Sequence, residues 1–176
     1  MQKPYRFDEA LLVFSEMADQ LSYDMVQKNV VSDHLSFWVG FDHRSLDSGI
    51  YDGAIHIDHY GRAVPKHVGG SVRLPARTNS TDTIIRSLRD AFVKKVDRHL
   101  LIRRLGVSAD GIRTENPWQQ LDLFSDTAAH EKEQRIQKAM LEIRRRFGAN
   151  AVLRGSDYLE GATTRERNGQ IGGHRA

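Results

Sequence analysis

Apolar positions along this chain alternate between two periods, and the switches between them outline a small α+β unit. Over Phe7–Gln27, Leu11, Phe14, Met17 or Ala18, Leu21 and Met25 recur at the spacing of a helix face, and Asp8 stands where a cap is needed. From His34 to Phe41 the period falls to two. Leu35, Phe37, Val39 and Phe41 then share one side, which predicts a strand. A turn-rich stretch runs from His43 to Gly70, and within it Ala54–Ile57 reads as one arm of a short hairpin. Gly70–Leu74 predicts a second strand, closed by Pro75. Ser80-Thr81-Asp82 opens a second helix, with Ile84, Ile85, Leu88, Phe92 and Val96 facing inward, and the aliphatic run Leu100–Ser108 predicts a third strand. The order helix, strand, strand, helix, strand is that of a βαββαβ-type module with its first strand largely missing: an antiparallel sheet backed by two helices.

From Ala109 the chain changes character. Residues 1–110 form the predicted module, 111–129 a linker, and 130–176 a tail containing a third helix, Glu131–Phe147. In that helix Ile136, Met140, Ile143 and Phe147 make an apolar stripe, and Gly148 suits the C-terminal cap. Ala151-Val152-Leu153 reads as a short extended stretch, and Gly161 to His174 as irregular. The linker holds Gln120-Leu121-Asp122-Leu123-Phe124 between Asn116-Pro117-Trp118 and Ser125-Asp126. An apolar Leu-x-Leu-Phe in an exposed linker makes sense mainly where another protein covers it. The five residues resemble the peptide by which bacterial replication and repair proteins dock on the DNA sliding clamp. Leu123 and Phe124 would fill an apolar pocket, with Gln120 fixing the register and Leu121 and Asp122 completing the contact.

Charge adds a modest bias. The 176 residues carry a formal net charge of +3, with a pI near 9.3, which is compatible with a polyanionic partner. Arginine is the favoured base in the second half, and its planar fork suits phosphate better than an ammonium does. Candidate phosphate contacts are Thr78, Ser80 and Thr81 at the start of the second helix, flanked by Arg73 and Arg77, with Arg103 and Arg104 on the last strand. The absence of cysteine excludes disulfides, thiol nucleophiles and Cys-based zinc sites. No apolar run approaches the roughly 20 residues of a membrane span, so a soluble, cytoplasmic protein with no membrane partner is expected. His56, Asp58 and His59 offer three ligand types, but on a strand His56 and Asp58 share a side and His59 points away. Asp8-Glu9, Asp122-Asp126 and Glu131-Glu133 lie at helix starts or in the linker, where capping and solubility explain them. No catalytic residues, metal or other cofactor are therefore expected on this chain.

Three pieces in sequence resemble the Y-family translesion DNA polymerases: the Leu100–Ser108 strand with Arg103-Arg104 and Gly106-Val107-Ser108, the clamp-type peptide after it, and the helix ending Arg146-Phe147-Gly148. Gly161-Ala162-Thr163 to Gly172-Gly173-His174 is similar to the extreme C-terminus of the bacterial branch. The resemblance covers nearly the whole chain but only the family's little-finger domain and tail.

It implies a four-stranded sheet backed by two helices that grips duplex DNA across the major groove, mostly through the phosphate backbone. It further implies a non-catalytic portion of a polymerase acting in damage tolerance. The partners would be damaged or primer–template DNA, a bacterial sliding clamp and the polymerase core as a separate chain. Mg2+ chemistry would belong to the palm domain. In such a sheet the missing strand is expected to be interior, so that its loss exposes apolar faces and two edges and leaves the chain poorly stable, as in a truncated frame or half of a split polymerase. The rival readings are a free-standing, clamp-recruited DNA-binding accessory protein and a small metal-dependent nuclease built on His56, Asp58 and His59.

Overall fold

The computed structural model describes residues 3–47, 49, 51–115, 127–171 and 174–175. Helix α1 spans Phe7–Gln27 and strand β1 Val30–Phe41, and a short hairpin of β2 (Ile55–Ile57) and β3 (Ala63–Pro65) leads into β4 (Val68–Thr78). Helix α2 (Thr81–Lys95), strand β5 (Ile102–Asp110) and the two-residue β6 (Arg113–Thr114) follow, then helix α3 (Thr127–Phe147). The fold is α+β, with β1 central in an antiparallel sheet between β4 and β5. Both helices lie on one face, α1 over β5 and α2 over β4.

The periodic residues form the core. Leu35, Phe37, Val39 and Phe41 from β1 meet Phe14 and Ala18 of α1, Ile84, Leu88 and Phe92 of α2, and Leu74 and Ile102 from the flanking strands. Phe14 is fully buried. Its ring centroid lies 4.7 Å from that of Phe92 and 5.6 Å from that of Phe37, so one side chain joins both helices to the sheet.

Several boundaries depart from the sequence pattern for identifiable reasons. The cap of α1 is Arg6, not Asp8: the Arg6 backbone N–H donates to Glu9 Oε2 at 2.9 Å, and Asp8 lies within the first turn. β4 continues past Pro75 because it is an edge strand with a bulge there. Ser32 pairs with Thr78 and His34 with Arg73, so two steps on β1 oppose five on β4, and the missing proline N–H breaks no ladder bond. Gly111, in the left-handed conformation at φ 57°, turns the chain so that β6 pairs with Val30 and Val31 inside the segment read as linker.

The expected interior position of the missing strand is also corrected. Tyr5 bridges Ile102 with two backbone hydrogen bonds of 2.8 Å, on the side of β5 away from β1. The opening segment thus belongs at an edge, and β1 has partners on both sides without it.

The tail is more ordered than its sequence suggests. The apolar stripe of α3 points outward, with Ile136, Ile143 and Phe147 exposed, while Gln137 is buried and Met140 accepts a hydrogen bond from Tyr23 Oη at 3.2 Å. The Arg144 guanidinium covers the Tyr23 ring at 4.0 Å. Beyond Gly148 (φ 95°) no strand forms at 151–153. A 3-10 turn forms at Gly155–Tyr158, a helical turn, α4, at Thr164–Arg167, and a two-residue ribbon of β7 (Gln170–Ile171) and β8 (His174–Arg175). Buried acids on α1 hold this segment. Glu16 accepts from the backbone N–H of Thr163 and Thr164 and from the Thr163 hydroxyl, and Asp19 accepts from Arg154 Nε at 2.6 Å. Burial pushes the Asp19 carboxyl up, and the Arg154 charge opposes that rise. Among the described residues, no helix is long and apolar enough to cross a membrane.

Candidate nucleic-acid interface

With α1 and α2 on one side, no helix among the described residues packs on the other face of the sheet. Strand alternation places His34, Ser36, Trp38 and Gly40 of β1 on it. Their direct partners in the ladder are Arg73, Ser71 and Gly69 on β4, and Asp110, Ser108, Gly106 and Arg104 on β5. Across the middle the side chains are small: a Ser71–Ser36–Ser108 row beside Gly69 and Gly106. Trp38 is the exception. Its indole lies over Gly106, where an added methyl would overlap ring atoms Nε1, Cδ1 and Cε2, and its far ring edge reaches Gly40. Glycine at 106 is thus what lets the indole lie down on the sheet.

The arginines proposed from sequence divide by environment. Arg73 and Arg104 are exposed on this open face, one from each strand flanking β1. Arg103 stands in the bulge opposite Gly40 and Phe41, with Nε 3.9 Å from Asp42 Oδ2. Asp42 is buried, which alone would raise its pKa, but hydrogen bonds from the Arg44 backbone and side chain outweigh this and lower it, keeping the carboxylate charged. Arg77 turns to Asp33 at 3.5 Å.

Thr78, Ser80 and Thr81 do not join the open face. The Thr78 hydroxyl accepts from the Ser80 backbone N–H, and Ser80 caps α2 by accepting from the Thr83 N–H. The Ser80 hydroxyl donates to the Glu133 carboxylate at 2.8 Å, and the Asp82 N–H donates to the same group at 3.1 Å. Thr81 is buried beneath Ser22 and Gln137. A carboxylate from α3 therefore holds the place an anion would take at this helix start.

The hairpin sets its three candidate ligands to different tasks. Asp58 binds Arg62 through Nε and Nη2 at 2.9 and 2.7 Å and accepts from the Tyr60 N–H, the His59 ring meets Tyr60, and His56 faces His67 with ring centroids 6.0 Å apart. Among the described residues, no three His, Cys, Asp or Glu side chains gather as metal ligands. The Arg62 side chain, then backbone N–H groups, hold the Asp58 carboxyl at about 2, below its ordinary 3.8. A depressed acid favours the folded turn above the ordinary value and loses that contribution as pH falls towards 2. An NMR titration should give an Asp58 midpoint near 2, and Arg62→Ala should bring it back towards 3.8; an unchanged midpoint in the variant would refute the pairing.

The peptide Gln120, Leu121, Asp122, Leu123 and Phe124 lies outside the described residues. Trp38 could have been found in the sequence: it is a large aromatic at an out-facing position of the period-two run, amid serine and glycine.

Residues 2–123 match the family described as the impB/mucB/samB family C-terminal domain. The chain is also similar to DNA polymerase IV 2 of Bacillus subtilis, with 30% identity over 133 residues, covering 74% of this chain and 31% of the relative. It thus spans about a third of the length of that curated relative.

Proposed function

The chain belongs to the impB/mucB/samB family, as the C-terminal domain of a Y-family polymerase, and from this we propose that it holds primer–template DNA for translesion synthesis and recruits the enzyme to a sliding clamp. The reading rests above all on the family match across residues 2–123. The sheet face that presents Arg73 and Arg104 fits it, since two cations on a broad surface of small side chains suit a phosphate backbone.

In this reading the chain contributes grip and recruitment and performs no nucleotidyl transfer. That reaction, with the Mg2+ and carboxylates it uses, belongs to the polymerase core. The phosphate contacts are Arg73 and Arg104 on the open face, with Arg103 beside them. Thr78, Ser80, Thr81 and Arg77 would join only if Glu133 and Asp33 released them. Gln120 to Phe124 is the clamp-docking peptide.

Titration of labelled primer–template DNA in a salt series tests the DNA half. Each neutralised phosphate contributes about −0.9 to the slope of log K against log salt, so Arg73→Ala with Arg104→Ala should flatten it by about 1.8 and weaken binding evenly across sequences. An unchanged slope would remove both arginines from the interface, and no binding by the parent chain would defeat the reading.

A further inference from the structure

We infer that Trp38 is a stacking platform for an unpaired nucleobase, so that the open sheet face binds the single-stranded side of a primer–template junction. The inference rests on the DNA-binding reading above and names the substrate form that the face selects. Trp38 is 43% exposed although one side of its indole rests on the Gly106 backbone, so the other side is presented to solvent. Among the described residues of the three strands it is the only Trp, Tyr or Phe on this face; Phe37 and Phe41, its neighbours along β1, point into the core.

The surroundings leave room for a flat ligand. Ser36, Ser71, Ser108, Gly69 and Gly106 rise little above the backbone, so nothing tall stands between the indole and a base laid upon it. The hydroxyls of Ser71 and Ser108 can hydrogen-bond base edges, while Ser36, in the middle of the row, donates to Asp110. A bulkier side chain at 106 would displace the indole, so the glycine and the tryptophan act as a pair.

Charge selects a nucleic acid over an apolar partner. Arg73 lies opposite His34 and Arg104 opposite Gly40, so the cations bracket Trp38 from the two flanking strands. Six residues of β1 at ~3.4 Å each set them roughly 20 Å apart along the strand. They cannot share one phosphate, but they can take backbone phosphates on either side of a base seated between them. An aromatic flanked by cations, with small polar neighbours, is the arrangement by which sheets hold single strands, because every base offers a π-face.

The test compares three labelled DNAs bound to the full chain: a duplex with a short thymidine overhang, the same duplex with abasic sites in the overhang, and a blunt duplex with equal phosphates. The wild-type chain should bind the base-bearing overhang about tenfold more tightly than the abasic one. Trp38→Ala should erase that preference, while Trp38→Phe should keep most of it. Equal wild-type affinity for base-bearing and abasic overhangs would overturn the platform, and this arm needs no variant to fold. A preference that survives Trp38→Ala would overturn it too. Blunt-duplex binding without base preference defeats the stacking alone; failure to bind all three DNAs defeats the DNA-holding function as well.

Discussion

Replacing Leu123 and Phe124 together by alanine should release this chain from a bacterial sliding clamp while leaving its DNA affinity intact. Burying a leucine or phenylalanine side chain is worth about 1.5–3 kcal/mol, so losing both anchors removes roughly 3–6 kcal/mol. At about 1.4 kcal/mol per power of ten, affinity falls by two to four powers of ten. Such short peptides concentrate their binding energy in a few apolar anchors, so Asp122→Ala should cost far less. Gln120→Ala should fall between the two, because a lost polar contact shifts register without emptying a pocket. Surface plasmon resonance against a purified clamp measures all three. A double variant that still binds like the parent would remove clamp docking from the proposed function and leave the DNA-holding domain standing.

Phe14→Ala should be the most damaging single substitution in the core. The side chain is fully buried and touches the rings of Phe37 on β1 and Phe92 on α2. Its removal leaves a cavity between three elements that cannot all close on it. Phe→Ala changes in such sites cost about 3–5 kcal/mol, set against a total stability of about 5–15 kcal/mol for a domain. For a chain of this size each kcal/mol moves Tm by roughly 2–4 °C, so a fall of roughly 6–20 °C is expected. Phe147→Ala is the control, because that ring is 75% exposed and its loss should shift Tm little. The parent chain should itself melt cooperatively. That departs from the poor stability expected of a sheet lacking an interior strand, since β1 is paired on both sides and Tyr5 already sits on the outer edge of β5. Similar thermal scans for Phe14→Ala and the parent would contradict this account of the core.

Local chemistry made much of the fold legible. Helix α1 ends where its apolar period ends, and the alternation of Leu35, Phe37, Val39 and Phe41 told which side of β1 is buried, because side-chain direction along a strand follows from the backbone itself. The same alternation placed Trp38 outward, although its seat on Gly106 depends on strand register and so on a partner distant in sequence. Pro75 misled for a related reason: a proline ends a strand by default, and only an edge position with a bulge tolerates it.

The site was less legible than the fold. Arg73, Arg77, Arg103 and Arg104 look alike in sequence, yet two lie open on the sheet while Arg77 and Arg103 stand beside Asp33 and Asp42. Thr78, Ser80 and Thr81 have the composition of an anion-binding helix start, and nothing nearby in sequence shows that Glu133 occupies it.

What the sequence determined by itself was the main helices and strands of the module, the faces they bury and the family, all of which rest on short-range periodicity or contiguous motifs. Only the tertiary structure decided which polar groups remain available. A helix terminus or an arginine is satisfied by whichever carboxylate reaches it in space, and the one on Ser80 comes from 53 residues away along the chain.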